Sequence, residues 1–244
     1  MLADGDRVLV ALSGGKDSWA LLHTLTGLQR KAPVNFTLIP ATIHPGFTTF
    51  KCESLRPAVA DLGLELHIEE TGNAEIIQEH RRPGSSYCAF CARLRRGALY
   101  TLAQRLECNK VALGHHLDDF IETLLLNQFF SGTLAAMSPN MLADNGTQHV
   151  IRPLVYVNEK RIIRWKEAVD LPIIDCGCPQ SAQLDQNRQK IKRLIAELEQ
   201  QIPHIKKSML NAMRNVQPHR LLDQELNYAL QTRDIRHVQA STST

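Results

Sequence analysis

The chain has 244 residues, of which 43% are hydrophobic and 22% charged, and its formal net charge is +3 at pH 7. These values are typical of an ordinary soluble globular protein with one large domain, or with a domain and a helical appendage. No apolar run is long enough to cross a bilayer, which excludes a membrane-spanning protein. Residues 1–6 carry acids where a signal peptide would need a basic and then an apolar stretch, so we expect a cytoplasmic protein.

The charges are unevenly distributed along the chain. Residues 81–106 contain six arginines and no acid, and residues 180–220 contain eight lysines and arginines against three acids, whereas residues 112–151 contain no lysine or arginine. Clusters of this kind produce a directional field that can hold a polyanion. Solvated helix faces would explain the cluster at residues 180–220 equally well.

Short apolar runs alternate with helical patterns along the first half of the chain. Strands are predicted for residues 7–12, 36–43, 64–68 and 110–114, and helices for residues 18–29, 54–62, 93–106 and 118–130. This alternation indicates an α/β fold with a mostly parallel sheet and helices on both of its faces. In such sheets ligands bind beyond the carboxyl ends of the strands.

The second half of the chain is predicted to be largely helical. A polar loop at residues 138–149 precedes a possible strand at 150–155, a helix at 158–169 and an amphipathic helix at 184–198, and Pro203 begins a further helix. We therefore divide the chain into an α/β domain at residues 1–180, a C-terminal helical segment at 181–220 and a tail at 221–244. The tail ends in Ala-Ser-Thr-Ser-Thr, which has nothing to bury, and we expect it to be flexible.

A glycine-rich turn follows the first predicted strand, where residues 13–18 read Ser-Gly-Gly-Lys-Asp-Ser. Glycines permit a close approach of backbone N–H groups to an anion, and the helix start beside the turn favours phosphate. The P-loop of nucleoside triphosphatases has a different spacing, since Val10 and Asp17 occupy positions where that motif needs Gly and Ser or Thr. The turn is instead similar to the PP-loop of N-type ATP pyrophosphatases. That resemblance implies cleavage of ATP between the α- and β-phosphates and adenylation of a carbonyl or carboxyl oxygen.

The residues of this turn receive separate predicted roles. Backbone N–H groups and hydroxyls are expected to cradle the phosphates of ATP, and they belong to Ser13, Gly14, Gly15 and Ser18. Lys16 would neutralise phosphate charge. Asp17 would either orient the loop or bind Mg²⁺, a cation that prefers oxygen ligands.

Unusual residues also follow the fourth predicted strand. Gly114 is expected to let this strand end approach ATP, and His115 lies beside it. Asp118 and Asp119 are adjacent acids at a helix start, where capping is the alternative role. Because two consecutive carboxylates cannot both point easily into one site, we choose Asp119 for Mg²⁺ binding or substrate activation. His115 and His116 could equally serve only in local hydrogen bonds.

Four of the six cysteines form two close pairs, Cys88 with Cys91 and Cys176 with Cys178. In a chain without a secretory signal, such pairs indicate metal or redox chemistry before disulfides. Two thiolates three positions apart can hold one metal centre, but zinc sites, iron–sulfur clusters and redox pairs share this pattern. A structural zinc site with four cysteine ligands is therefore a serious alternative.

The combination of these motifs resembles the tRNA 2-thiocytidine synthetase (TtcA) family of the PP-loop superfamily, over nearly all of residues 5–221. The resemblance rests on the turn at residues 13–18, on the Cys-x-x-Cys pair at 88–91 joined to Arg-Leu-Arg-Arg-Gly at 93–97, and on Leu-Gly-His-His-Leu-Asp-Asp at 113–119. Ile-Arg-Pro-Leu at 151–154 and Asn-Val-Gln-Pro at 215–218 match as well. It implies the adenine-nucleotide α-hydrolase-like fold of PP-loop enzymes.

The resemblance also implies an activity. The family uses ATP and Mg²⁺ to activate the C2 carbonyl of a cytidine in the tRNA anticodon loop, and replaces that oxygen with sulfur. Relatives carry a [4Fe–4S] cluster on three cysteines, which leaves one iron open for a sulfide. The first two ligands map onto Cys88 and Cys91. The third falls within residues 175–179, where we choose Cys178, because Cys-Pro recurs in related thiolases, and keep Cys176 as the alternative.

The remaining expectations concern catalysis and partners. The predicted catalytic residues are Asp17, Asp119, Cys88, Cys91 and Cys178. The arginines just beyond Cys91 are expected to contact phosphates of ATP or of tRNA, and they are Arg93, Arg95 and Arg96. The partners expected are tRNA and a sulfur donor, either a cysteine desulfurase or sulfide, with no membrane contact and with a homodimer as a possible state. Cys52 and Cys108 have no close partner in sequence and are not expected to be ligands.

Three other functions stay open at this point. A PP-loop ligase that joins an amine to an activated carbonyl, as the lysidine-forming relatives do, would not need the cysteine pairs. A 2-thiouridine synthase would activate the same carbonyl in another base, and a zinc-stabilised nucleic-acid-binding module would not be catalytic. Family members usually have a helical N-terminal extension, whereas the first strand here begins at Arg7. We expect either that the basic stretches hold tRNA in its place or that tRNA binding is altered.

Overall fold

The structure is a computed structural model that describes residues 1–80, 87–175, 178, 186–225 and 228, without the side chains of residues 88 and 89. Cys176 and the Cys88 side chain therefore lie outside the described part of the chain. Most of the tail that we expect to be flexible, which begins at residue 221, lies outside it too.

One sheet organises the fold. Its strands are β1 (Asp6–Ala11), β2 (Phe36–His44), β3 (His67–Glu70), β4 (Lys110–Ala112), β5 (Asn140–Leu142) and β6 (His149–Ile151). Their order in the sheet is β3-β2-β1-β4-β6-β5, and all neighbours are parallel except β5, which is antiparallel to β6. The predicted α/β fold with a mostly parallel sheet is confirmed.

Helices follow most of the strands. They are α1 (Lys16–Gln29), α2 (Arg56–Ala60), α3 (Asn73–His80), α4 (Tyr87–Arg105), α5 (Leu117–Leu126), α6 (Glu159–Glu167), α7 (Gln186–Gln201) and α8 (Ile205–Arg214). No helix within the described ranges is both long enough and apolar enough to cross a membrane.

The central strand β1 is covered on both faces, which explains its unbroken apolar sequence. Val8, Leu9 and Val10 are fully buried, and successive side chains of a strand point to opposite faces. Val8 and Val10 pack in the same core as α1 and α6, whereas Leu9 packs in the core formed by α4. The prediction of helices on both faces is therefore confirmed.

A third apolar cluster lies beyond the sheet and joins the C-terminal helices to the rest of the molecule. In this cluster Ile121 on α5 packs with Ile191 and Ile195 on α7 and with Leu210 on α8. All four side chains are buried. The helices α7 and α8 are thus attached through α5, whose first turn belongs to the site described below.

Several predicted elements have different bounds in the structure. Helix α4 begins at Tyr87 rather than at residue 93, so Cys88 and Cys91 lie in its first turns and not in a preceding loop. The strand predicted for residues 64–68 is β3, three residues further along, and the polar loop at 138–149 contains β5. The differences in the strands arise because pairing with a neighbouring strand, which the sequence pattern does not show, decides where each strand begins.

Candidate active site at the carboxyl edge of the sheet

The glycine-rich turn links the carboxyl end of β1 to the first turn of α1. The Ser18 hydroxyl donates to the Gly15 carbonyl at 2.8 Å and lies 3.3 Å from the Ser13 hydroxyl. Gly15 is the residue before the first turn of α1 and has an extended backbone, and no side chain caps the helix there. The Ser18 and Trp19 N–H groups donate to the Gly15 carbonyl, at 3.1 and 3.2 Å. The Lys16 and Asp17 N–H groups are therefore the ones that an anion would meet at this helix end, which favours negative charge.

Gly14 has a conformation and a neighbour that together require glycine. Its φ of +81° is one that L side chains rarely adopt, and a Cβ built there would lie 2.1 Å from Cγ1 of Ile174. The Gly14 carbonyl accepts a hydrogen bond from the Ile174 N–H at 3.1 Å. Nearby, the Trp19 indole donates to the Pro172 carbonyl at 2.8 Å. The segment that leads to Cys178 is therefore fastened to the turn.

Gly114 brings the end of β4 against the same turn. A Cβ at this position would lie 3.0 Å from the Asp17 carbonyl oxygen and 3.2 Å from the Ser18 nitrogen, which is tighter than nine in ten real Cβ contacts. A side chain here would therefore push the two strand ends apart. The close approach places His116 beside the turn, with its Nε2 3.6 Å from a carboxylate oxygen of Asp17.

Lys16 lies between two carboxylates rather than in solvent. Its ammonium group donates to Asp17 at 2.9 Å and to Glu159, at the start of α6, at 3.0 Å. Burial alone would lower the pKa of Lys16, but the hydrogen bonds to the two carboxylates outweigh it and raise the pKa. Lys16 is therefore a firmly protonated cation next to the phosphate-binding turn.

The imidazole of His116 lies at the centre of a group of acids. Its Nδ1 is 3.4 Å from Asp119, and its Nε2 faces Asp17 and, at 3.9 Å, Glu159. The ring is almost fully buried, and Nδ1 has no hydrogen-bond partner in the described part of the chain. The ring therefore lies against carboxylates from three different elements, so its surroundings are not only those of its own turn.

The two adjacent acids of α5 have different surroundings. Asp118 is buried, accepts a hydrogen bond from the Glu159 backbone N–H at 2.7 Å and pairs with Lys206 of α8 at 2.8 Å. Asp119 accepts from the His116 backbone N–H at 2.9 Å, and its other carboxylate oxygen is 3.6 Å from Arg188. Asp118 thus holds α6 and α8 in place, whereas Asp119 is more exposed and faces His116.

A buried acid on α5 draws α7 towards the site. Glu122 is 2% exposed and accepts a hydrogen bond from Arg188 at 2.7 Å, with Lys192 3.6 Å away. Burial raises the pKa of Glu122, and the two cations of α7 oppose that rise. Sequence reasoning missed Glu122, Glu159, Arg188 and Lys192, because each is an ordinary polar residue of an amphipathic helix.

His115 is linked to Arg152, the residue that follows β6. Its Nδ1 accepts from the Arg152 guanidinium at 3.3 Å, and Arg152 also donates to the Ser138 carbonyl. Burial lowers the pKa of His115 to about 4, against the opposing charge of Asp119, so the ring is neutral at pH 7. Arg152 was part of the Ile-Arg-Pro-Leu match, but its link to His115 is visible only in the fold.

The cysteines fall into two groups. Burial raises the pKa of Cys52, and raises that of Cys108 to about 11, which favours the thiol form of both. Cys91 and Cys178 are both partly exposed. Cys178 packs against the same core as Leu12, the residue that precedes the turn, and so does Tyr87 at the start of α4.

Only part of the predicted cluster site lies within the described residues. No group of three His, Cys, Asp or Glu side chains within the described residues is arranged to hold a metal ion. Two of the four candidate ligands, the Cys88 side chain and Cys176, lie outside those residues. The predicted cluster ligands therefore stay a prediction.

The three predicted RNA-binding arginines lie on α4 beyond Cys91. Arg93 and Arg96 are exposed and Arg95 is half-buried. The charge of Arg96 acts on Tyr100 and on Arg152, which places this part of α4 near the His115 side of the site. The structure thus brings the turn, the β4 end and the α6 start together, with α4 along one side.

Known proteins match this chain over most of its length. A family model described as a PP-loop domain matches residues 3–201. A tRNA-cytidine(32) 2-sulfurtransferase of Syntrophotalea carbinolica is 54% identical over 93% of this chain and 87% of its own length, and the protein of that name from Geobacter sulfurreducens is 55% identical over 93% and 88%. The counterpart from Pelobacter propionicus is 56% identical over 93% and 84%.

A solved structure matches the fold. The U34-tRNA thiolase NcsA from Methanococcus maripaludis, described with its [4Fe-4S] cluster, has a TM-score of 0.69 and 23% identity, and the match covers 86% of this chain and 71% of that one. At this identity the likeness concerns the fold. The PP-loop match and the relatives more than half identical over nine-tenths of the chain establish that this protein belongs to the tRNA-cytidine(32) 2-sulfurtransferase family of PP-loop proteins.

Proposed function

We propose that this protein uses ATP to activate the C2 carbonyl of a cytidine in a tRNA anticodon loop and replaces that oxygen with sulfur. Family membership supports the reaction class. The structural observation that carries the proposal is the contact of Gly114 with Asp17 and Ser18, which joins the end of β4 to the PP-loop. That contact gathers a cation, carboxylates and free helix N–H groups at one edge of the sheet.

ATP binding is assigned to the PP-loop and the β4 end. The proposed ATP-contacting residues are Ser13, Gly14, Gly15, Lys16, Asp17, Ser18, Gly114 and His115. The N–H groups at the start of α1 would receive the phosphates, and the protonated Lys16 would offset their charge. Since His115 is neutral and half-buried, its proposed contribution is to the shape of the pocket and not to its charge.

Asp119 is the proposed ligand of Mg²⁺, because it is more exposed than Asp118 and carboxylate oxygens are the ligands that this cation prefers. Asp17 faces the other nitrogen of the His116 ring, at 3.6 Å, and accepts hydrogen bonds from Lys16, so its proposed role is to orient the loop. Asp118 is not proposed as a ligand, because Lys206 and the Glu159 N–H already occupy its oxygens. Bound Mg²⁺ would neutralise phosphate charge as pyrophosphate leaves.

Cys88, Cys91 and Cys178, with Cys176 as the alternative third ligand, are proposed to hold a [4Fe–4S] cluster. Two observations support the fit: Cys178 follows a segment bonded to the Gly14 carbonyl, and Tyr87, next to Cys88, packs on the core beside the turn. The high pKa of Cys108 makes it a poor thiolate donor by comparison. A bound cluster would supply an iron that can carry sulfur.

The proposed reaction proceeds in two displacements. The C2 oxygen of cytidine attacks the α-phosphorus of ATP and pyrophosphate leaves, so the oxygen becomes part of a good leaving group. A sulfur nucleophile then attacks C2, and AMP leaves with that oxygen. The base must leave its stack to reach the site, and for this reason an unpaired loop nucleotide is the proposed substrate.

The proposed partners follow from this chemistry. Arg93, Arg95 and Arg96 are assigned to RNA phosphates, and the sulfur donor is proposed to be sulfide or a cysteine desulfurase. The chemistry is assigned to residues 1–180 and the helical support to 181–220. A cytoplasmic location and a homodimer complete the proposal.

The decisive experiment combines metal analysis with product analysis. The full chain, purified without oxygen, would be incubated with ATP, Mg²⁺, sulfide and a tRNA anticodon stem-loop, and the nucleosides analysed by mass spectrometry. Matched stem-loops with cytidine or uridine at the target position test the base. The expected result is iron and sulfide in the protein, with 2-thiocytidine, AMP and pyrophosphate formed in equal amounts.

Other outcomes would identify the alternatives. A colourless protein that holds one zinc and consumes no ATP would point to the nucleic-acid-binding module and overturn the proposal. AMP formation without sulfur incorporation, when an amine is supplied, would point to a ligase. Sulfur incorporation into the uridine stem-loop alone would replace cytidine by uridine as the substrate.

A further inference from the structure

A second surface of the molecule is rich in cations and lies outside the site described above. It is a groove of about 690 Å³ between α6 and α8, and its basic side chains are Arg161, His204, Lys206, Lys207 and Arg214. Glu199 is the acid in its lining, and it is paired with Lys160 at 2.9 Å and with Lys206 at 3.2 Å. The groove therefore has a surplus of positive charge.

Three of these cations form no ion pair with a described carboxylate: Arg161, Lys207 and Arg214. By contrast, Lys206 is held by Asp118. Lys207 lies in the first turn of α8, where the positive end of the helix dipole disfavours a cation. This turn contains no acid that could offset the charge. Cations arranged in this way repel one another, and a bound polyanion would relieve that repulsion.

An exposed aromatic ring forms the end of this groove. Tyr156 is 61% exposed, and the Arg214 guanidinium carbon lies 6.0 Å from the centre of its ring. On the far side of Tyr156 and Arg214 is an apolar pocket of about 480 Å³, which these two residues also line. Its other walls include Phe120 and Leu124 of α5 and Val216 after α8.

We propose that this surface binds a second, non-reacting unpaired nucleotide of the RNA substrate. The phosphates would lie in the groove against Arg161, Lys207 and Arg214, and the base would stack on Tyr156 and enter the apolar pocket. Stacking of splayed bases on aromatic side chains next to arginine and lysine is how proteins recognise single-stranded RNA. The positive charge of the groove matches the phosphate of a nucleotide, and the apolar pocket matches its base.

The location separates this surface from the reacting base. The apolar pocket is lined by Phe120 and Leu124, which lie further along α5 than the site residues His116 and Asp119. The groove meets the site through Asp118, which pairs with Lys206 on one side and bonds to the Glu159 N–H on the other. A nucleotide bound here would hold the RNA loop while its neighbour occupies the PP-loop site. The inference rests on the proposed function for the identity of the RNA.

The test uses the full chain and measures RNA binding without turnover. The variants are Tyr156→Ala, Tyr156→Phe and the double variant Lys207→Gln with Arg214→Gln. The control is Arg30→Gln with Lys31→Gln, two exposed cations directly after α1. Fluorescence anisotropy would give the affinity of each protein for an anticodon stem-loop and for a duplex of equal length without a loop, at several salt concentrations. Circular dichroism and the thermal unfolding midpoint would establish that each variant is folded.

Loss of the ring is expected to weaken stem-loop binding by about tenfold or more while duplex binding changes little, and Tyr156→Phe is expected to retain the affinity. Removing the two cations is expected to reduce the slope of log affinity against log salt by roughly 1.4, since each single-strand phosphate contact contributes about 0.7. The control double variant is expected to leave that slope nearly unchanged.

Two results would overturn the inference. Stem-loop affinities of the Tyr156→Ala and double variants that equal the control would show that the RNA does not use this surface. Equal losses for stem-loop and duplex would show a general polyanion surface and no unpaired nucleotide. In either case thiolation by the unmodified protein would be intact. Absence of thiolated product and of any RNA binding by the unmodified protein would instead contradict the proposed function.

Discussion

Substitution of Gly14 by alanine tests the geometry of the PP-loop directly. The residue has a φ of +81°, and an added Cβ would lie 2.1 Å from Cγ1 of Ile174 and 3.4 Å from its Cβ. The Ile174 backbone cannot easily retreat, because its N–H is bonded to the Gly14 carbonyl. Relief therefore requires a changed Ile174 rotamer or a shift of the turn itself.

The expected loss of stability has two parts. The left-handed conformation costs an alanine about 1–2 kcal/mol. Overpacking against Ile174 adds roughly 1–3 kcal/mol. We therefore expect Gly14→Ala to lower the free energy of unfolding by about 2–5 kcal/mol in total. Gly146 provides a matched control, because its φ is +71° and its added Cβ would meet nothing within 4 Å. Gly146→Ala should show only the conformational part.

Chemical denaturation would measure both variants, with ATP hydrolysis to AMP as the functional readout. A double-mutant cycle with Ile174→Ala separates the contact from the backbone cost, because the smaller side chain makes room for the new methyl group. In the Ile174→Ala background, Gly14→Ala should cost no more than Gly146→Ala. Equal losses for Gly14→Ala and Gly146→Ala in the unmodified background, or no coupling with Ile174, would refute the reasoning.

Three further predictions concern the site. Asp118→Ala should lower the free energy of unfolding by about 3 kcal/mol, because Lys206 keeps only the more exposed Glu199 as a partner and the Glu159 N–H loses its acceptor. Asp119→Ala removes mainly a helix cap and should cost about 1 kcal/mol. Urea unfolding would measure both losses, and equal losses would contradict their separate roles. The pKa of His115 is lowered from 6.5 to about 4, so the stability due to its neutral ring is present above pH 6.5 and is lost as the pH falls towards 4. The free energy of unfolding of His115→Gln should therefore fall less than that of the unmodified protein between pH 6.5 and 4. Unfolding at a series of pH values would measure this difference, and identical pH dependence of the two proteins would be inconsistent with a desolvated, neutral ring. Cys91→Ser should lower the iron content of anaerobically purified protein whereas Cys108→Ser should not, as measured by metal analysis; equal iron in both would remove Cys91 from the proposed ligands.

The sequence was sufficient to predict an element where its local pattern is compatible with one type of structure. The apolar run before Ser13 could only be a strand covered on both faces, and the glycines after it could only be a turn before a helix. The bounds of α4 could not be obtained in the same way. Its first turns hold the Cys-x-x-Cys pair, which has no apolar periodicity, so the helix was predicted to begin six residues late. Strand β3 was displaced for a related reason, since its position is decided by pairing with residues 41–44 of β2.

The chain by itself determined the chemistry available: a phosphate-binding turn after β1, a glycine and two acids after β4, and cysteines close to arginines. These motifs are local, so each can be recognised without knowledge of its neighbours. Tertiary structure decided which of them act together and which acid does what. Asp118 and Asp119 are adjacent in sequence, yet Asp118 binds residues of α6 and α8 whereas Asp119 faces His116. The physical reason is that the burial and the partners of a side chain depend on elements far away in sequence. Glu159 meets Lys16, and Arg188 meets Glu122, only because of the way in which the helices pack.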